Sequence, residues 1–134
     1  MASKIKSFIK KHISDHKMNT TLLGSWELFE YYMDQNDRLL HIKEDQIKRD
    51  KMKWNLSFLE KGKFTNETNL FIPFFKKLEA NRWIKSRNFV TLSEIDSLDP
   101  GITFQFAFDK GILKLLQKNK LGKIEIFAFF KRIS

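Results

Sequence analysis

In two stretches of the chain large apolar residues recur at every second position, most clearly over residues 52–59. Across residues 102–109, Ile102, Phe104, Phe106 and Phe108 are separated by Thr103, Gln105 and Ala107. Successive side chains of a strand point to opposite faces, so this pattern predicts a strand with one buried face. Residues 52–59 repeat it, with Met52, Trp54, Leu56 and Phe58 set against Lys53, Asn55 and Ser57. Glu60-Lys61-Gly62-Lys63 then supplies a turn in which Gly62 can take a positive φ, and residues 63–70 return as the hairpin partner. Further strands are predicted over 23–32, 81–85, 88–95, 112–118 and 123–133. Asp99-Pro100-Gly101, Asp109-Lys110-Gly111 and Asn119-Lys120-Leu121-Gly122 mark turns between them. In the first of these strands Trp26, Leu28 and Glu30 fall on one face by the same rule. Residues 112–118 also satisfy helical spacing through Lys110, Lys114 and Lys118, and the flanking glycines favour the strand.

Two stretches are less regular. Residues 34–51 are highly charged, and Leu39, Leu40, Ile42 and Ile47 fit either a strand or a short helix. Pro73 breaks the pattern again, which leaves 74–80 as a short helix or an irregular excursion. At the start, Ile5, Phe8, Ile9 and Ile13 recur at helical spacing, with Lys4, Lys6, Lys10 and Lys11 largely off that stripe. This predicts an amphipathic helix over 4–16, packed over an opening or edge of the domain. Peripheral membrane or partner contact is the alternative. About eight short strands joined by tight turns, with no helical crossovers, predict an all-β fold: an antiparallel up-and-down β-barrel. The expected organisation is a helix and lead-in over 1–20 and one barrel domain over 21–134.

Composition supports this. Fourteen Phe, three Trp and two Tyr in 134 residues favour strands and a large buried area. Zero Cys excludes disulfides and thiolate metal sites. No apolar run reaches membrane-spanning length and no signal peptide is visible, so the expected location is cytoplasmic, or extracytoplasmic if an export signal has been removed. The net charge of +9 sits at the two ends of the chain.

No catalytic constellation emerges. There is no phosphate-binding glycine loop, no nucleophile elbow and no Cys nucleophile. His12 and His16 are four apart without a third ligand, and His41 is isolated. Glu27 and Glu30 read as polar residues at a barrel rim. The chain is therefore expected to be a binding protein, not an enzyme, with no cofactor and no metal. The inward apolar set of Trp54, Leu56, Phe58, Trp83, Phe104, Phe106 and Phe108 either fills the core or lines a lumen for an apolar small molecule. Lys110, Lys114, Lys118, Lys120 and Lys123 are expected to converge with the basic N-terminus on one sector, able to meet an acidic protein or an anionic lipid surface. Nucleic acid is disfavoured, because few outward positions are aromatic; Phe127 and Phe129 are the exceptions. These features make a protein-interaction module (an assembly component, inhibitor or immunity-type protein) the alternative to a carrier.

One family resemblance emerges. Gly24-Ser25-Trp26 is similar to the Gly-x-Trp signature that opens the first strand of lipocalins and related calycins. The run from Trp54 through Leu56 and Phe58 to Gly62-Lys63-Phe64, then Asn81-Arg82-Trp83, then Phe127 through Phe129-Phe130-Lys131-Arg132, resembles bacterial lipocalin-like domains over about residues 22–133. The resemblance implies an eight-stranded barrel with a ligand-holding interior. It also implies that a basic residue of the last strand, Arg132 or alternatively Lys131, covers Trp26 and seals one end. A guanidinium over an indole contributes about 0.5–2 kcal/mol.

Overall fold

A computed structural model describes residues 22–71 and 79–133 of the chain. The helix expected over 4–16, with His12 and His16, and most of the excursion expected over 74–80 lie outside the described residues. The described chain forms nine strands, one short α-helix and a 3-10 turn at Glu60–Gly62: β1 (Gly24–Gln35), β2 (Arg38–Ile42), α1 (Glu44–Arg49), β3 (Trp54–Phe58), β4 (Phe64–Thr68), β5 (Arg82–Ser86), β6 (Phe89–Ser93), β7 (Ile102–Asp109), β8 (Ile112–Lys118) and β9 (Ile124–Arg132). All pairings are antiparallel, in the order β4-β3-β1-β9-β8-β7-β6-β5, with β2 beside β1. Lys63 bridges to Arg82, and the Phe64 amide donates to the Asn81 carbonyl at 3.0 Å, which brings β4 to β5. The result is an antiparallel, nearly closed eight-stranded barrel, as the alternation predicts.

Residues 34–51 resolve into both of the structures their sequence permits. β1 turns into β2 through Asn36 and Asp37, which both take positive φ (53° and 63°). This is the turn conformation whose twist suits a tight hairpin. β2 then leads into α1, which carries Glu44 and Asp45 in its first turn and Lys48 and Arg49 in its last. That order complements the helix dipole. Ile47 alone of α1 is buried, and it anchors the helix to the core. One edge of β1 is thereby divided: residues 24–27 pair with β3 and residues 31–35 with β2.

Strict alternation fails in β1, and the failure matters for the site. Trp26 and Leu28 point inward, but the register against β9 skips between Leu28 and Glu30, so Phe29 is an extra residue opposite Phe129. Glu30 therefore does not share the face of Trp26 and Leu28. It lies on the outside with Phe29, and Tyr31 takes the next inward place, buried to 5% exposure. A bulge of this kind reconciles two apolar sets that are out of phase by one residue.

The interior is aromatic and close-packed. Phe108 lies 5.9 Å from Trp26 and 5.8 Å from Phe106, Phe130 lies 5.1 Å from Trp54, and Phe58 lies 5.3 Å from Phe64 and 5.4 Å from Trp83 (ring centroids). Each indole N–H has an acceptor: Leu22 carbonyl for Trp26 at 3.0 Å, Asn66 Oδ1 for Trp54 at 2.7 Å and Leu59 carbonyl for Trp83 at 2.9 Å. A buried indole needs such a partner.

Candidate functional site at the barrel mouth

The two ends of the barrel differ. At one end Arg132 pairs with Trp26 across the β1–β9 ladder, and its guanidinium lies 4.2 Å from the indole ring centre. The same guanidinium donates to the Leu23 carbonyl at 2.6 Å. Lys131, the alternative, lies instead 4.7 Å from the ring of Phe29 and binds Glu44 at 2.7 Å.

At the opposite end of β1 the barrel carries a concavity of about 920 Å³. Its apolar wall is Tyr31 and Met33 from β1, Met52 ahead of β3, and Leu70 and Phe71 after β4. Asn69 holds the segments beside β3 and β4 together: its side chain accepts from the Lys53 amide at 2.7 Å and donates to the Lys51 carbonyl at 2.8 Å. The Tyr31 hydroxyl reaches Met52 Sδ at 4.0 Å, and burial raises the phenol above its ordinary value of 10.0. Three carboxylates, Asp34, Asp50 and Glu125, complete the lining with Gln35.

A second irregularity places one of them. The β8–β9 register runs from Gln117 opposite Ile126 to Lys118 opposite Ile124, which leaves Glu125 as an extra residue. Both bulges among the described strands thus contribute to the mouth, one by bringing Tyr31 inward and one at Glu125. Bulges at barrel rims commonly re-aim side chains in this way.

None of the seven residues expected to line a lumen borders this concavity. Trp54, Leu56, Phe58 and Phe104 are fully buried, Phe106 and Trp83 nearly so, and Phe108 packs partly buried against them. Inside the barrel Trp54, Phe58, Trp83, Phe106 and Phe108 pack against one another and against Trp26, Phe64 and Phe130, with ring centres 5.1–5.9 Å apart. The mouth residues escape sequence reading because they follow a bulge or lie outside regular strands. The apolar character of Met33, Met52 and Leu70 is the only signal they leave.

The lysines expected to form one basic sector are divided. Lys110 lies in the β7–β8 turn at the Arg132 end, whereas Lys118, Lys120 and Lys123 lie at the mouth end, in and beside the β8–β9 loop. The seven residues of β8 separate the two groups by roughly 23 Å. Lys114, between them, binds Asp109 at 3.3 Å and lies 5.7 Å from the ring of Phe129. His41 is not isolated: it stacks on Tyr32 at 4.2 Å and binds the Glu30 carboxylate, which the β1 bulge has turned outward. Glu27 also faces solvent. With Phe29, Phe127 and Phe129, these rings form a half-buried aromatic strip on the outer face. Among the described residues no cluster of His, Asp or Glu could hold a metal, and no helix is long and apolar enough to cross a membrane.

Comparison with known proteins adds no relative. No family model, no curated protein and no solved structure matches the chain. The site is therefore read from its own chemistry.

Lys123 binds Asp37 and so clasps the β8–β9 loop to the β1–β2 turn at the rim. The hydrogen bond from Lys123 holds the Asp37 carboxyl below its ordinary 3.8, and the same bond holds Lys123 above its ordinary 10.5. A lowered carboxylate contributes stability above the ordinary aspartate value and loses it as pH falls through the lowered one. A raised lysine contributes below its ordinary value and loses that contribution as pH rises through the raised one. Thermal melts across pH are expected to show wild type more stable than Asp37→Asn at neutral pH, with the margin vanishing at both acidic and strongly alkaline pH. The margin is small, as for exposed pairs generally.

Proposed function

We propose that the protein is a non-enzymatic, lipocalin-like binding protein that takes a small molecule with an apolar body at the mouth of the barrel, and not in the lumen. The observation that carries this reading is the concavity of about 920 Å³ with its wall of Tyr31, Met33, Met52, Leu70 and Phe71. Ligand clefts of roughly 300–1,000 Å³, mostly apolar and with a few placed polar groups, are the usual size and composition for small-molecule sites. The close ring contacts of the interior support the location, since packed side chains leave less room there for a guest.

Filling the mouth tests the proposal. Nile red, a neutral apolar dye, is expected to brighten on the wild-type chain. Met33→Trp combined with Leu70→Trp should weaken its binding at least about tenfold, because steric exclusion removes most of the contact. Circular dichroism should be unchanged. Equal dye binding by the filled variant would overturn the proposal.

The outer aromatic strip supports a second reading, a protein-interaction module. Contiguous apolar surface left partly open on an outer face can mark an interaction site. Phe127→Ser with Phe129→Ser distinguishes the two readings. Loss of a defined partner with dye binding intact supports the exterior; loss of neither leaves the mouth as the working site.

A further inference from the structure

We propose that the ligand of the mouth is a small amphipathic cation, an organic amine carrying an apolar body; this rests on the reading of the mouth as a binding site. The carboxylates do not stand alone as an acidic cluster. Asp34, Asp50 and Glu125 line a concavity whose remaining wall is mainly apolar, so charge and apolar surface are presented to the same guest. No Lys or Arg is among the described lining residues, in a chain whose net charge is +9. The charged groups among these described lining residues are all acidic, which favours a guest of the opposite sign.

The nearby cations only partly offset this charge. Arg49 Nε lies 3.6 Å from Asp50, and Lys123 faces Asp34 but is hydrogen-bonded to Asp37. Glu125 has no ion pair within 4.0 Å among those of the described residues. Its place comes from the β9 bulge, without which alternation would send it to the outer face with Phe127 and Phe129. The ring of Tyr31 adds an aromatic face, and aromatic faces attract ammonium groups. A fatty acid would bring its carboxylate against three others. An amine meets complementary charge at the rim while its apolar part reaches Met33, Met52 and Leu70.

The test compares three ligands with one tail and different heads: decylamine, decanol and decanoate. Each is titrated calorimetrically into the full chain at neutral pH. Decylamine is expected to bind roughly tenfold to a hundredfold more tightly than decanol, as a few carboxylates near a partly screened rim would give. Decanoate should bind weakest. In the triple variant Asp34→Asn, Asp50→Asn, Glu125→Gln, decylamine and decanol should become equal. Raising salt from about 20 mM to about 500 mM on the wild-type chain should weaken decylamine and leave decanol unchanged, a measurement that needs no variant to fold. If all three ligands bind the wild type equally, the inferred charge preference fails and the mouth site stands. If none binds, the mouth reading itself fails. A preference for decylamine that survives both neutralisation and salt also overturns the inference.

Discussion

Trp26→Ala is expected to lose about 3–5 kcal/mol, a large share of the roughly 5–15 kcal/mol that holds a typical domain folded. Trp26 is fully buried and packs on Phe108, its N–H is bonded to the Leu22 carbonyl, and Arg132 covers its ring. Truncation removes the ring, leaves a cavity and strands the guanidinium over nothing. The cost is read as a lower denaturant midpoint with an unchanged slope. Arg132→Ala should cost far less, about 0.5–2 kcal/mol, because the cation–indole contact is lost while the core stays filled. If the two variants cost the same, Trp26 is not the keystone of the Arg132 end of the barrel.

Gly101→Ala carries the next largest expected effect, by a different mechanism. Gly101 has φ +84°, and a Cβ there would lie 2.3 Å from the Leu92 carbonyl oxygen and 2.8 Å from Ser93 Cβ. Both neighbours belong to β6, which pairs on its two sides with β5 and β7. The side chain must therefore adopt a left-handed backbone and displace a central strand, at a combined cost of about 2–4 kcal/mol. Gly122, at φ +80°, has nothing within 4 Å of the same added atom. Gly122→Ala should cost only about 1 kcal/mol, from backbone strain alone. Denaturant melts of the two variants separate the steric effect from the conformational one; equal losses would show that the Gly101 contact relaxes freely.

The barrel was legible because its strands alternate. β7 and β8 lie where periodicity places them, and Gly62 takes the positive φ that its turn requires. The β1 phase was not legible past Leu28. Period two sends Glu30 inward, and only pairing with β9 shows that an extra residue intervenes. Residues 34–51 resisted for another reason: their charges face solvent, so β2 and α1 carry little apolar periodicity, and Asn36-Asp37 is a tight turn without glycine. Alternation identified Trp54, Phe104 and Phe106 as inward-facing, but it does not reveal whether space remains among them. That depends on ring volumes meeting across the barrel. The mouth was harder still, because Tyr31 and Glu125 gain their places through bulges and Met52, Leu70 and Phe71 lie outside regular strands.

On the proposed reading, the mouth and not the lumen receives the guest. Nuclear magnetic resonance of methyl-labelled protein, titrated with Nile red, tests it most directly. Met33 and Met52 methyl resonances are predicted to shift in a saturable way, while those of Leu113 and Leu115, fully buried in the core, stay in place. Saturable shifts centred on Leu113 and Leu115, with Met33 and Met52 unmoved, would contradict it.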